Sequence, residues 1–372
     1  MTTPIRILLC NGGLMNRGGI ESYMMNYYRH IDRIKIQFDF LVHNAGGFGY
    51  YDDEIKKLGG RIYILPQKSK HPFRYNKELK TILQSTDYKI IHTHMDAMGT
   101  WVLRTAKQCG IPVRIAHSHN TQHLSNNPVK LLFLKYAQKH ITKYATHCMA
   151  CSEMAGKWLF GDKPFTVIHN AIDIDKFSFN QTIRDQVRKE WKVENNFVIG
   201  HVGRFDTQKN HLFLLDIFAE IHQQLPQTKL MLLGGGGHLG DNIAARINDL
   251  QIQDAVILTG VRDDVYRFYN AFDLFVLPSL FEGLGIVAIE AEINGCTALL
   301  SNQVPIEAKI TENVDFIPLE KKLWVEKMIQ VIKNNRQHTA NVNHEATSEY
   351  DILQESVKLQ NMYLDLYKNN YN

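Results

Sequence analysis

"FVIGHVGRFDTQKNHLFLLDIFAEIHQQL", residues 197–225, decides the fold. Phe197 to Val202 form a short, almost continuously apolar run, the pattern of a strand covered on both faces. Gly203, Arg204 and Lys209 fall in a polar loop, and an apolar run at helical spacing begins at His211. Strand, polar loop with a cation, then helix is the opening unit of a doubly wound, mostly parallel sheet.

The chain starts in the same way. "IRILLC" (5–10) reads as a buried strand, "NGGLMNRGG" (11–19) as a loop and "IESYMMNYYRHI" (20–31) as a helix. Further strands are expected at "IQFDFLV", "RIYILP", "KIIHTH", "VRIAHSH", "THCMACS" and "FTVIHNAI". The pattern breaks at the polar stretch 173–196, "DIDKFSFNQTIRDQVRKEWKVENN", and resumes with residue 197. "KLMLLGGGG", "AVILTG", "LFVLPS" and "CTALLS" follow as strands of the second half. The reading is α/β, two facing Rossmann-like domains with a cleft between them. The domains are 1–175 and 176–349, with an amphipathic C-terminal helix at about 350–372 crossing back to the first. A length of 372 residues suits two domains.

Composition narrows the class. A net charge of +4 is too small for a nucleic-acid binder and suits a protein that handles anionic small molecules. Five thinly spread cysteines argue against a disulfide framework and for a reducing compartment. Cys148 and Cys151 form a C-x-x-C without a second pair, so neither zinc nor redox chemistry is expected there. "IRILLC" is too short for a signal peptide, and no apolar run approaches the ~18 residues that cross a bilayer. A cytoplasmic protein is expected, with any membrane contact peripheral, at the inner face of the cytoplasmic membrane.

Ligands of open α/β sheets bind beyond the carboxyl ends of the strands, so the motifs there carry the chemistry. Arg17-Gly18-Gly19 is either a simple tight turn or a backbone cradle for an anion at a helix start. Its glycines do not fit G-x-G-x-x-G, and no G-K-[ST] occurs, which excludes a dehydrogenase fingerprint and a P-loop. Arg204 and Lys209, five apart after a strand with Gly203, are either two solvated surface charges or a diphosphate site, a fork and a point charge. His92, His94, His117, His119 and His169 each close a strand. A neutral imidazole bonded to a substrate hydroxyl is a better reading than a metal ligand, since no H-E-x-x-H appears. Asp173-Ile-Asp175 imitates a D-x-D metal motif but begins a link rather than ending a core strand.

"FEGLGIVAIEAEING", residues 281–295, is the most informative stretch. Glu282 lies in a loop after the strand that Pro278-Ser279 ends, and Gly283 and Gly285 flank Leu284. A helix starting near Leu284–Ile286 would aim its free N–H groups at an anion. Glu290 lies one to two turns on, in an apolar context that turns it inward. A carboxylate accepts two hydroxyl hydrogen bonds, which suits the vicinal diols of sugars.

With "GGIES", "IHTH", "IAHSHN", "ACSE", "VIHNAIDIDKF", "GHVGRFDTQKN", "LLGGGG", "LTGVRDDV" and "PSLFEGLGIVAIEA", the chain resembles retaining glycosyltransferases of family 4, which have the GT-B fold, nearly end to end. The local style is similar to that of bacterial capsular and exopolysaccharide enzymes. The resemblance implies a hexosyltransferase that moves a sugar from a nucleotide-diphosphate sugar, a UDP-sugar in this reading, to a glycan or polyprenyl-pyrophosphate-linked acceptor. It implies that Glu282 bonds the donor sugar and Glu290 the ribose. Arg204 and Lys209 would hold the diphosphate with the backbone at Gly18-Gly19 and Leu284-Gly285. Val261-Arg262 would meet the base, and Asn170 and Ser279 would sit by the donor. His119, or His117 if the register of "AHSHN" is shifted, would face the reacting carbon. No cofactor and no metal is expected, because the two cations take the place of one. Leu284 stands where the family often has an aromatic residue, and "NQVPIEAK" replaces a commoner glycine-rich turn. Two other readings fit the same motifs: a nucleotide-sugar epimerase of the same fold, and a non-catalytic nucleotide-sugar-binding partner of another transferase.

Two basic stretches remain. "LPQKSKHPFRYNKELK" carries Lys68, Lys70, Arg74, Lys77 and Lys80, and "VKLLFLKYAQKHITKY" is basic and amphipathic. They read either as ordinary solvated faces or as a surface for anionic lipid.

Overall fold

Short apolar runs become strands here because helices cover both faces of each sheet, so β-strands such as Ile90–Thr93 and Leu274–Leu277 are buried at every position and show no alternation. The computed structural model describes residues 3–44, 46–123, 125, 127–334 and 347–370. Residues 335–346 of the expected second domain and 371–372 of the expected C-terminal helix lie outside the described residues.

The first sheet contains β1 (Ile5–Cys10), β2 (Ile36–Asn44), β3 (Ile62–Pro66), β4 (Ile90–Thr93), β5 (Val113–Ser118), β6 (His147–Ala150) and β7 (Thr166–Val167). Its order is β3-β2-β1-β4-β5-β6-β7, and all neighbours are parallel. The second contains β8 (Phe197–Val202), β9 (Thr228–Leu233), β10 (Val256–Gly260), β11 (Leu274–Leu277), β12 (Ala298–Ser301) and β13 (Val314–Ile317). Its order is β10-β9-β8-β11-β12-β13, again all parallel. The fold is α/β with two Rossmann-like sheets, as the repeated strand–loop–helix pattern implies.

Contacts divide the chain into two units, Met1–Ala171 with Glu349–Asn372, and Ile172–Ser348. The sequence puts the boundary after residue 175. The structure puts it after Ala171, because Asp173 caps a short helix, Ile174–Phe177, that belongs to the second unit. The C-terminal helix, Ile352–Lys368, belongs to the first unit, where the buried Tyr363 joins a core with Phe38, Tyr27 and Tyr28. The second sheet is covered on one face by a cluster around Phe218 and Trp324 and on the other by one around Tyr269, Phe272 and Phe275.

In each sheet the winding reverses once, between β1 and β4 and between β8 and β11. The helices after those strands diverge to opposite faces, leaving a crevice at the carboxyl ends. The loops after β8 and β11 carry Lys209 and Glu282. The loop after β1 carries Gly18, and β4 ends beside His94. The five cysteines are all free thiols, Cys148 and Cys151 included.

Candidate functional site

In the second unit, the sequence after β8 makes a single 3-10 turn, Thr207–Lys209, closed by Asn210 in the left-handed conformation at φ 58°. The turn aims Lys209 back across the strand end. A Cβ at Gly203 would lie 2.9 Å from the Lys209 side-chain carbons, so a larger residue there would have to push the lysine stem aside. Lys209 Nζ reaches Glu282 Oε1 at 2.7 Å, and both side chains are mostly buried. Ser279 Oγ donates to the same oxygen at 2.6 Å, and Gln208 Nε2 donates to Glu282 Oε2 at 3.1 Å. Gln208 also donates to the Phe281 carbonyl and accepts from the Leu280 amide through its own carbonyl. The two loops of this reversal point are thus fastened around one carboxylate that is 6% exposed.

Beyond Glu282 the chain turns through Gly283 and the buried Leu284 to Gly285, whose φ of 89° favours glycine, and the helix Ile286–Ile293 begins. Glu290 is its fifth residue. The Tyr269 hydroxyl lies 2.7 Å from Glu290 Oε2 and 3.1 Å from the Val287 carbonyl, so one proton serves two acceptors. Burial pushes the Glu290 carboxyl up to about 7, while the Tyr269 bond and the charge of Lys209 oppose the shift. Lys209 therefore acts on both glutamates. Glu292, two residues on, is different. It is fully buried and accepts from the Ile310 and Thr311 amides and the Thr311 hydroxyl, a structural clamp on the loop after β12.

The remaining expected donor residues are placed separately. Arg204 is exposed and pairs with Asp206, which also meets His238. Arg262, after β10, makes a two-pronged bond to Asp264 at 2.8 Å per prong and lies over the Phe268 ring, while Val261 beside it is exposed. The structure brings together Gly203, Lys209, Ser279, Glu282, Gly283, Leu284, Gly285 and Glu290. It leaves Arg204, Val261 and Arg262 at the ends of their own strands.

In the first unit, β4 and β5 pair with His92 opposite Ile115, so the pleat puts His92, His94, His117 and His119 on one face. His92 Nε2 meets His117 Nδ1 at 3.0 Å, and His94 Nδ1 meets His119 Nε2 at 2.8 Å. The Tyr363 hydroxyl closes the far end on His92 Nδ1 at 2.6 Å, and the Tyr23 ring packs on His94, His117 and His119. Burial holds all four imidazoles below the usual histidine range, His92 and His119 at about 3. Ring nitrogens of His92, His94 and His117 lie within 4.8 Å of one another, the spacing of a candidate metal set. His92 Nε2 and His117 Nδ1, however, already bond each other, and a metal would have to displace that hydrogen bond.

The two histidines left open by the sequence differ little: each keeps one ring nitrogen, His117 Nε2 and His119 Nδ1, without a partner among the described residues, and His117 is fully buried while His119, at the edge of the quartet, is 7% exposed. Asp96 holds it there. Its carboxylate accepts from the His119 amide and from Asn120 Nδ2, each at 2.7 Å, and its own backbone is left-handed at φ 44°. Asn170 follows β7 with its Oδ1 buried and without a partner among the described residues. Gly18 caps and Gly19 opens the helix Gly19–His30, but Glu21 folds over Gly18 and accepts from Asn11, so this helix start already carries a carboxylate.

Residue motifs missed Gln208, Tyr269, Asp96 and the pairing of the histidines. The neighbouring "QK" of "DTQKN" and the alternation "HTH…HSH" are the signals that could have found the first and last.

Comparison with known families decides the class. The family model for glycosyl transferases group 1 matches residues 183–348, and that for glycosyltransferase family 4 matches residues 17–176. The chain belongs to the family 4, group 1 glycosyltransferases. It is 33% identical over 310 residues to EpsF of Bacillus subtilis, covering 81% of this chain and 79% of that one. It is 24% identical to the UDP-Gal:alpha-D-GlcNAc-diphosphoundecaprenol alpha-1,3-galactosyltransferase of Escherichia coli, covering 94% and 95%. It is also 24% identical to the capsular polysaccharide biosynthesis glycosyltransferase CapH of Staphylococcus aureus, covering 94% and 96%. Among solved structures, Anabaena HepE in complex with UDP and glucose superposes with a TM-score of 0.80 at 18% identity, covering 96% of this chain and 99% of that one. That likeness supports the GT-B fold. For a glycosyltransferase, the second unit offers a buried cation, two carboxylates suited to diols and a helix start between them. Among the described residues, no helix of this glycosyltransferase is long and apolar enough to cross a membrane.

Proposed function

We propose that this glycosyltransferase moves a hexosyl group, with retention, from a UDP-sugar to a hydroxyl of a glycan or lipid-diphosphate-linked acceptor in cell-surface polysaccharide assembly. The observation that carries the reading is the fastening of Lys209, Glu282 and Glu290 around one helix start at the β8/β11 reversal. The Escherichia coli relative named above uses a UDP-sugar and a diphosphoundecaprenol acceptor, and the HepE structure holds UDP and glucose, which supports this choice of donor and acceptor.

Charge then dictates the mechanism. The sugar C1–O bond to the diphosphate breaks, a bond from C1 to the acceptor oxygen forms on the same face, and the acceptor proton passes to the departing diphosphate. Lys209, Arg204 and the first amides of the helix Ile286–Ile293 stabilise the negative charge that develops, so no metal is required. Glu282 holds sugar hydroxyls, Glu290 the ribose diol, and His119 Nδ1 a hydroxyl near C1. Neither glutamate acts as a nucleophile. In this reading the enzyme works at the inner face of the cytoplasmic membrane, where a lipid-linked acceptor is anchored.

A panel of nucleotide sugars tests the reading by thermal shift, since a ligand at 100 times its Kd stabilises the native state by about 2.7 kcal/mol. UDP and one UDP-sugar should raise the melting temperature, and that donor should be consumed only when acceptor is present. Donor conversion without acceptor would identify an epimerase, and binding without turnover a non-catalytic partner.

A further inference from the structure

Three cations of the first unit stand apart from the donor residues. Lys68, two residues beyond β3, Lys80 of the helix Pro72–Ser85 and Arg104 of the helix Gly99–Gln108 line a cavity of about 310 Å³ floored by Trp101. No carboxylate among the described residues pairs with any of the three. Lys68 is half-buried, with its ammonium 4.2 Å from the centre of the Trp101 ring and 5.3 Å from that of Tyr75. Burial and the repulsion of Arg104 hold Lys68 down at about 8. Lys80 and Arg104 are exposed and Lys68 is half-buried beside them, so the three make a positive patch without a carboxylate, which an anion would complement.

The cavity adjoins an unusual helix. Pro128–Tyr144 buries Leu134, Ala137 and Ile141 against the unit. It also carries a second apolar stripe at i, i+3, i+4 and i+7: Val129 is 77% exposed, Leu132 72%, Phe133 42% and Tyr136 53%. Lys130 and Lys135 lie between these positions and Lys139 one turn beyond them on the same helix. An apolar stripe left in water on a lysine-rich helix has the composition of an interfacial helix. The Trp101 ring joins the two features. It floors the cation cavity and stacks on Phe133 and Tyr136, with ring centres 5.0 and 6.2 Å apart.

We propose that this face docks on an anionic phospholipid surface, with one headgroup phosphate held in the Lys68–Lys80–Arg104 cavity and Val129, Leu132 and Phe133 entering the acyl boundary. Charge complementarity favours lipid over a protein partner: the stripe is flanked by lysines, and the cavity beside it has no carboxylate. The inference deepens the lipid-linked acceptor reading and rests on it for its biological purpose, but binding can be measured without donor or acceptor.

The test is co-sedimentation of the full chain with vesicles of phosphatidylcholine alone and with vesicles containing phosphatidylglycerol. The chain should pellet with the second and not the first. The double variant Lys68→Gln/Arg104→Gln should bind roughly thirtyfold more weakly, from two charges removed at headgroup level. Leu132→Ser should weaken binding by about tenfold, from one apolar side chain withdrawn from the boundary. Leu132 and Arg104 are exposed and Lys68, though half-buried, has no carboxylate partner to lose among the described residues, so unchanged melting should accompany the loss. Undiminished binding by the double variant would overturn the headgroup site, and equal binding to both vesicles would overturn the anionic requirement. A Lys68-dependent thermal shift with inorganic phosphate, without vesicle binding, would assign the cavity to a soluble phosphate and overturn the lipid. Because UDP binding is measured separately, loss of vesicle binding with UDP binding intact, or the reverse, tells failure of this inference from failure of the donor reading.

Discussion

Replacing Glu282 by Gln tests the centre of the donor site, because it changes the charge of the group that holds Lys209 while keeping its shape. Glu282 takes three donors: Lys209 Nζ at 2.7 Å, Ser279 Oγ at 2.6 Å and Gln208 Nε2 at 3.1 Å. The pair is mostly enclosed, with Lys209 15% and Glu282 8% exposed in their side chains. Removing one partner of such a pair costs about 3–5 kcal/mol, mainly because the other charge stays buried and unpaired. Glutamine still accepts from Ser279 and Lys209, which puts Glu282→Gln near the bottom of that range, about 3 kcal/mol. Lys209→Met should cost a similar amount. If both losses reflect one interaction, the double variant should cost about 3 rather than about 6 kcal/mol, a coupling of roughly 3 kcal/mol. Hydrogen exchange of the slowest β8 and β11 amides reads this in the second unit by itself. Binding should respond in the opposite sense. The diphosphate no longer competes with a carboxylate for Lys209, so Glu282→Gln should bind UDP at least as tightly as the parent while losing preference among donor sugars. Additive stabilities, with a coupling under about 0.5 kcal/mol, or a tenfold loss of UDP affinity in Glu282→Gln, would refute the arrangement.

Arg204→Ala should lower turnover by ~10²-fold, the scale for one preorganised charge donor, and near-parental rates in the purified variant would remove Arg204 from the diphosphate site. Tyr269→Phe removes a donor that holds the Glu290 carboxyl down from above about 7. UDP affinity should therefore fall near pH 7 and recover as pH rises toward 8.5, and a titration that shows no pH dependence would exclude an ionised Glu290 from binding. The histidine quartet makes the first unit sensitive to acid. His92 and His119 lie at about 3 in the folded chain against an ordinary 6.5, so the unfolded chain takes up protons first. Their stabilising effect is complete above about 6.5 and declines as pH falls toward 3, by about 2 kcal/mol per imidazole at pH 5. Melting or hydrogen exchange of β4 and β5 that is unchanged between pH 7 and 5 would show that the four are not buried as neutral rings.

Sequence pattern carried the fold because its evidence is local. Each strand is a short apolar run, each helix has an apolar face, and the order of the two is printed along the chain. The boundary at Ala171 rather than 175 reflects the packing of Ile174–Phe177 on helices of the second unit, a long-range contact that its own sequence does not display. The site was legible only where a residue's meaning is fixed by its own neighbours: glycines at turns, a cation after a strand, a glutamate in an apolar helix. Pairings across strands were not. "EAE" contains two glutamates that look alike in sequence, yet Glu290 meets Tyr269 from 21 positions away while Glu292 clamps the loop at 310–311.

That distinction bears on why the ligand-free site is built as it is. Lys209 without a ligand would be a buried ammonium, and such a group must be paired or lose its proton. Glu282 supplies the pairing from the opposite side of the β8/β11 reversal, so the charge that the proposed function assigns to the diphosphate is balanced and aimed before any ligand arrives. The same carboxylate then has lone pairs toward which sugar hydroxyls can donate, because only one of its oxygens takes the lysine. In the proposed reading one ion pair serves both halves of the donor, and it does so only if Glu282 and Lys209 stay together through binding. A change that separates them, such as lengthening the Thr207–Lys209 turn by one residue, should weaken UDP and sugar recognition together, whereas point changes at either partner should split them.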